Sequence, residues 1–466
     1  MLLVVDSLRA CSLRSVRAPF LDTLDRETTV FRRAYATECW TLPTHLSMFT
    51  GLLPSEHGAH FQTMGYGGRA PTLAELAQAE GYETEVATRN ALFDGTVPGT
   101  TRGFDVVTRL LAPLPTRGRL FHFILALAKP RVRRLLQRSG FFTAFQRAQR
   151  DFVHTVARMG IPNDRRVLEH GIERLRTAQR RGRPCFLFLN CYDVHAPYCP
   201  NETSPLRPWT SAGGVAENLR LAVAMPKVSG HGYLRPGFRL SSANRRMLRG
   251  RYETAIGLMD AKLGDFWQGL RDAGLLDDTV VVLTSDHGEA FGEHGLFLHD
   301  ASVFDTHLHV PLWIHRPGVA PTAVDDLVST RDLFAFLRAV IEGRSPAGTL
   351  VDPVYREERP VALAEHFHYP WVADALPAYR ENQAAAIVGR YKLAVRGRES
   401  RFYDLRTDPD EQSPIAASAE DFADRLQADR TPPRAVFDAL RHLRGWSQIM
   451  ETAMPYAESA LGAASP

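Results

Sequence analysis

Two apolar runs far apart in the chain both end in side chains that bind metal ions, and this limits the fold more than any other feature. Leu2 to Val5 leads into Asp6, and Val280 to Leu283 leads into Ser285-Asp286-His287-Gly288. Short, continuous runs of this kind are typical of strands buried on both faces, as in a parallel sheet. Open α/β sheets gather their ligands at the carboxyl ends of such strands. Asp6, Asp286 and His287 are therefore expected at one edge. Oxygen and imidazole donors without a thiolate suit Mn, Zn, Mg or Ca. A third buried run, FLFLNCY, delivers Asp193 and His195 in the same way.

The segment WTLPTHLSMFTG, residues 40–51, adds a hydroxyl to this edge. Apolar residues after a polar turn predict a helix beginning near Pro43, because proline is favoured in a first helical turn. Thr41 would stand just before it, where free N–H groups and the helix dipole favour an anion. A threonine before proline is also an ordinary helix cap. The two strand ends are what turn Thr41 into a candidate nucleophile.

Strand–helix alternation across residues 1–345 predicts an α/β fold with a mostly parallel central sheet sandwiched by helices. Near Gly343-Arg344-Ser345-Pro346 the pattern changes. Residues 346–466 offer VALAEHF, AAAIVGRYKLAV and RFYDL as short strands, then an Ala-rich helix and tail, which predicts a small C-terminal α+β subdomain.

Taken in order, VVDSLRA, TLPTHLSMFTGLLPSEHG, FLNCYDVHAPY, YETAIGLMDAKLG, SDHGEAFGEHG, VPLWIH and RYKLAVRGRESRFYDLRTDPDE resemble the sulfatase-like branch of the alkaline phosphatase superfamily. The likeness runs nearly end to end. It implies a hydrolase of phosphoric, phosphonic or sulfuric esters, with a second small sheet packed on the core.

The chain departs from that family where sulfate chemistry is made. Family sulfatases carry Cys-x-Pro-x-Arg, whose cysteine becomes formylglycine; here Thr41 replaces the cysteine and His45 the arginine, and Cys39 lies two residues too early. The family's Lys-Trp-His segment is missing, with Arg89, Asn90 and Ala91 around its place. None of the four lysines lies in a motif where the family has a catalytic one, and His299 stands where sulfatases keep a lysine. What remains is similar to phosphodiesterase, phosphonate monoester hydrolase and phosphoglycerol-transferase relatives.

The expected function is a metal-dependent hydrolase of phosphoester or phosphonate substrates through a covalent Thr41 adduct, or a phosphotransferase. One alternative is a sulfuric or sulfamic ester hydrolase without formylglycine; another is a catalytically silent binding protein with this fold. Asp6, Thr41, Asp286 and His287 are the expected ligands of one divalent ion. Ser7 and His287, replacing a family Asp and Asn, favour Mn or Zn over Ca or Mg. His195 is expected to protonate the leaving group, and His45, Asn90, His294 and His299 to contact substrate. A two-metal site would need a histidine where the chain has Asp305, so Asp193, His195 and Asp305 are the residues to watch.

Composition is that of an ordinary globular protein, 44% hydrophobic and 23% charged. Five cysteines without zinc-type spacing read as free thiols of a reducing compartment. With no signal peptide before the first strand, a cytoplasmic location is expected, unless the start codon is misassigned and a leader lies upstream. Residues 108–150 hold ten Lys or Arg and no Asp or Glu, against a net charge of +4 for the chain. They are expected to form a basic helical insertion, either a lid or a contact with a membrane surface, that draws a small anionic ester inward. The Pro-, Gly- and Ser-rich loop 201–240 is the other expected specificity element. No nucleic-acid motif is present, and nothing sets the oligomeric state.

Overall fold

The apolar runs fold as neighbouring strands. The computed structural model describes residues 1–110, 164–198, 224, 228, 232–299, 301–358, 360–368, 379–415, 425–426, 428–429, 431–444 and 446. The basic segment from 111 onward and most of the 201–240 loop, both given roles above, lie outside the described residues.

The main sheet contains β1 (Leu2–Val5), β2 (Thr29–Tyr35), β3 (Glu83–Thr88), β4 (Val106–Arg109), β5 (Cys185–Cys191) and β6 (Val281–Thr284). After the hairpin of β7 (Ala290–Phe291) and β8 (Phe297–Leu298), β9 (His309–His315) and β10 (Thr322–Ser329) complete it. Its order is β10–β2–β9–β6–β1–β5–β3–β4. β9 is antiparallel to both neighbours; the other pairings are parallel. The mostly parallel sheet is thus as expected. β1 sits between β5 and β6, with Leu3 opposite Leu189 on one side and Leu283 on the other. Its four aliphatic side chains are fully buried, each contributing roughly 1.5–3 kcal/mol.

Helices cover both faces. α1 (Pro19–Glu27), α4 (Arg165–Arg181) and α5 (Ser242–Asp272) pack on one; α2 (Thr41–Thr50), α3 (Leu73–Ala79) and α6 (Leu333–Ile341) share the other. α2 begins at Thr41, two residues before the expected start. Trp40 is the extended N-cap (φ −150°, ψ 167°), and Pro43 fits the third helical position because its fixed φ is helical and an N–H there has no intrahelical acceptor. α2 ends at Gly51, whose φ of 73° suits glycine; a Cβ there would lie 2.8 Å from the Phe334 ring.

The expected small sheet is antiparallel: β11 (Val361–His366), β12 (Gln383–Val388), β13 (Tyr391–Arg396) and β14 (Glu399–Asp404). α7 (Pro433–Arg444) packs against β11 and β12. Ala362, Ala364, Ala385 and Ile387 bury against Tyr35, Leu308 and Leu327 of the main body. Among the described residues no helix is long and apolar enough to cross a membrane.

His57, in the turn after α2, holds that helix from outside. Nε2–H donates to the Pro43 carbonyl at 3.1 Å, and Nδ1 accepts from Ala59 N–H at 3.0 Å. Burial pulls its pKa from 6.5 down to about 4. The unfolded chain takes the proton first, so stability is full above about pH 6.5 and falls as pH drops toward 4, by up to about 3 kcal/mol. Denaturant titrations from pH 7 to pH 4 should show this slope, reduced by one proton's worth in His57→Gln.

Candidate metal centre and active site

Both strand-end acids reach one point at the carboxyl edge of the sheet. Asp6, Asp286 and His287 are all fully buried, and their ligand atoms lie within 4.8 Å of one another. His287 Nδ1–H donates to the Gly288 carbonyl at 3.0 Å, so Nε2 carries the lone pair. That lone pair faces Asp286 Oδ2 at 3.3 Å and Asp6 Oδ1 at 3.8 Å. Asp286 Oδ2 is buried without a hydrogen-bond partner.

Three lone-pair donors aimed at one point are repulsive without a cation. Burial first, and then Asp286, raise the Asp6 pKa well above the usual carboxylate range. The donor set fits one divalent ion. Gly288 is required beside it: a Cβ would lie 2.0 Å from the Thr306 carbonyl oxygen.

Thr41, at the first position of α2, completes the group. Its hydroxyl lies 3.4 Å from Asp6 Oδ2 and 3.3 Å from His287 Nε2, each able to accept its proton. Trp40 supplies no side-chain cap and the first turn has no acidic residue. The positive end of the helix is therefore not neutralised from within. Asn90 donates to Asp6 Oδ2 at 3.1 Å while accepting Leu92 N–H at 2.9 Å, which orients the carboxylate. His299 stacks on His287 at 4.3 Å between ring centroids and faces Glu289 Oε1 at 3.2 Å.

His195 is beside His299, 4.9 Å between centroids. Its Nδ1–H donates to the Ala196 carbonyl at 2.6 Å, and its Nε2 accepts the Tyr192 hydroxyl at 3.1 Å. Burial and then the charge of His299 pull its pKa down to about 3, so it rests neutral.

Two expected substrate contacts are placed differently. His45, one turn along α2 from Thr41, borders the metal position, its Nδ1 3.6 Å from Asp286 Oδ2, but its Nδ1–H bonds back to the Thr41 carbonyl at 2.8 Å. Its ring lies among Phe49, Phe93 and Phe188, and with no exposure it supports the site from inside. His294 stacks on Phe304 at 3.6 Å, in a turn where its φ is 51°. Cys39 points away from Thr41, its Sγ 3.4 Å from His366 Nδ1.

The candidates for a second metal are held in ion pairs. Asp193 accepts from Lys262 Nζ at 2.7 Å and pairs with Arg89, which also donates to Asp164 at 3.0 Å. Asp305 accepts from Lys392 Nζ at 2.7 Å and from the Tyr35 hydroxyl at 3.0 Å. The Arg89–Asp164–Asp193–Lys262 group holds the turn that carries His195, because Asp164 Oδ2 accepts both Tyr192 N–H and Asp193 N–H at 2.6 Å. Lys262→Met should leave buried Asp193 undercompensated and destabilise the fold by about 3–5 kcal/mol. Urea denaturation would measure it, with Lys262→Met/Asp193→Asn recovering part of the loss.

Sequence reasoning weighed Ser7 only as the replacement of a family acid, not for the bonds it makes, and missed Glu289. Ser7, at φ 64°, donates its N–H to Asp286 Oδ1 at 3.1 Å and its hydroxyl to Asp6 Oδ1 at 2.9 Å, tying the two carboxylates together. Its place directly after Asp6 was the available signal. Glu289 could have been found from its spacing to His287 within SDHGE.

The fold is shared with solved structures. A phosphonate monoester hydrolase of Agrobacterium radiobacter superposes with a TM-score of 0.60 at 23% identity, over 92% of this chain and 93% of that one. A second, from Silicibacter pomeroyi, gives 0.60 at 18%, over 96% and 95%. Arylsulfatase K of Bos taurus is 29% identical over 185 residues, 36% of this chain and 33% of its own length. Choline-sulfatase of Rhizobium meliloti is 37% identical over 84 residues, 18% and 16%. The match thus spans about a third or less of these curated relatives' length. The family model described as Sulfatase matches residues 2–341, from β1 to the end of α6 and including both strand-end ligand sets, so this chain belongs to the sulfatase family.

Proposed function

We propose that the chain hydrolyses a small anionic phosphoester or phosphonate, with Thr41 as nucleophile and one divalent ion, Mn or Zn by preference, held by Asp6, Asp286, His287 and Thr41. The observation that carries this reading is the Thr41 hydroxyl, set between Asp6 and His287 at a helix start that no side chain caps. A cation bound there would supply positive charge for the ester and make the hydroxyl easier to deprotonate.

Asp6 and His287 each offer the Thr41 proton an acceptor. The first-turn N–H groups of α2 orient the anion for in-line displacement, in which positioning and charge are the main requirements. A dianionic ester beside His195 raises that imidazole's proton affinity, the condition under which it serves as acid to the leaving group. Threonine lacks the second hydroxyl with which a formylglycine hydrate expels its adduct. Water or an acceptor alcohol must then displace Thr41 at the central atom, which favours phosphorus over sulfur.

Sulfuric ester hydrolysis is the second reading, favoured by arylsulfatase K and choline-sulfatase among the relatives. Aryl phosphate mono- and diesters, phosphonates and sulfates assayed with Mn, Zn, Mg and Ca separate the two. The proposal expects phosphorus esters to be preferred and a phosphoryl-type mass increment on the Thr41 peptide after acid quench. Turnover of sulfates alone, or an aldehyde at Cys39, would overturn it. The four described cysteines are free thiols, which supports a reducing, cytoplasmic setting.

A further inference from the structure

Just upstream of Thr41 is a second group of metal-binding side chains that the proposed mechanism does not use. Glu38 and Cys39 follow β2, and His366 ends β11. All three are buried, Glu38 and Cys39 at 0% exposure and His366 at 2%. Their ligand atoms lie within 4.8 Å of one another. His366 Nδ1 lies 3.0 Å from Glu38 Oε1 and 3.4 Å from Cys39 Sγ.

Glu38 Oε1 accepts Cys39 N–H at 2.9 Å, and an Nδ1–H on His366 can be directed to the carboxylate or to the sulfur but not to both at once. A cation among the three ligand atoms would be held by all of them. Zinc bond lengths in a tetrahedral site place nitrogen and oxygen ligands about 3.3 Å apart, and nitrogen and sulfur about 3.5 Å apart. The nitrogen–sulfur separation of 3.4 Å is close to the second, and the nitrogen–oxygen separation of 3.0 Å would open by about 0.3 Å on binding.

The surroundings fit as well. Glu38 Oε2 faces Phe367 N–H at 3.4 Å. His60, half-buried and stacked on Phe367 at 4.0 Å, is near enough to Glu38 to feel its charge, and marks the side from which an ion would enter.

We propose that Glu38, Cys39 and His366 form a second, zinc-type metal site, separate from the Asp6–Asp286–His287 centre, that fastens the segment leading into Thr41 to the small C-terminal sheet. Thiolate, imidazole and carboxylate together select a borderline-soft ion, whereas the other centre offers no sulfur. Binding releases the Cys39 thiol proton to solvent and leaves the imidazole proton on Nε2. The site spans two sheets that already meet there, since Glu365 N–H donates to the Thr37 carbonyl at 2.8 Å.

Cobalt(II) tests this on the full chain after chelator treatment, because only sulfur ligation gives a thiolate-to-cobalt charge-transfer band. The wild-type protein should show that band, saturating at one equivalent of the sulfur site. Asp286→Asn should keep it; Cys39→Ser and His366→Asn should lose or strongly shift it, with circular dichroism confirming that each is folded. Zinc content measured by mass spectrometry should fall by one ion per chain in Cys39→Ser. Zinc should raise the melting temperature of Asp286→Asn and fail to raise that of Asp286→Asn/His366→Asn. No charge-transfer band in wild type overturns the proposal even if a variant does not fold, and so does a band that survives in folded Cys39→Ser.

Discussion

Thr41→Ala should lower turnover by about a thousandfold or more while the divalent ion stays bound, because removing a nucleophile disables the whole catalytic unit. The three other ligands come from strand ends fixed by β1 and β6, and the Thr41 methyl and hydroxyl play no part in the sheet. Thr41→Ser should recover a measurable fraction, since it keeps the oxygen. Single-turnover kinetics with a chromogenic ester and metal analysis of the same preparation check both halves. Near wild-type turnover in Thr41→Ala would refute a covalent threonine mechanism.

Asp286→Asn should have an effect of similar size for a different reason. The carboxylate contributes to the metal position charge and an oxygen, Oδ2, that accepts no hydrogen bond, so its loss removes both affinity and preorganised electrostatics. We expect kcat/KM to fall by at least about a hundredfold, partly rescued by high metal concentration. Metal removal from wild type should also lower stability, by about 3 kcal/mol relative to protein held at a hundred times the dissociation constant. An enzyme that stays fully active and equally stable after complete metal removal would refute the site.

Much of this centre was legible in the sequence because its parts are local. Asp6, Asp286 and His287 each directly follow a buried strand, and strands of one parallel sheet must end at the same edge. The Thr41 segment was readable as a helix start for the same reason, with an error of two residues because proline tolerates several first-turn positions. What could not be read depends on side-chain direction or on long-range pairing. His45 has the helical spacing to share a face with Thr41, yet bonds to the Thr41 carbonyl, as residues four apart on a helix can. Ser7 joins the two acids only because its backbone turns left-handed. Arg89, Asp164, Asp193 and Lys262 come from four separate elements, and no local pattern announces that they meet. The small sheet was visible as alternating short strands, but not the seam that Ala362, Ala364 and Ala385 form with Tyr35 and Leu308.

That seam bears on how such enzymes can be cut and recombined. The match to the family model stops at residue 341, which invites treating everything beyond as an exchangeable module. Yet Asp305 of the main body takes its cation from Lys392 on β13, and that fully buried lysine also pairs with Glu411 at 2.7 Å. A chimera joined near 345 would leave one carboxylate without its partner and uncover the apolar edge beside β2 and β10. Its active site would then rest on a surface shaped for a different neighbour, so grafts at this junction should fail by misfolding rather than by altered specificity, and a working exchange has to carry β11 to β14 together with the main-body residues they meet.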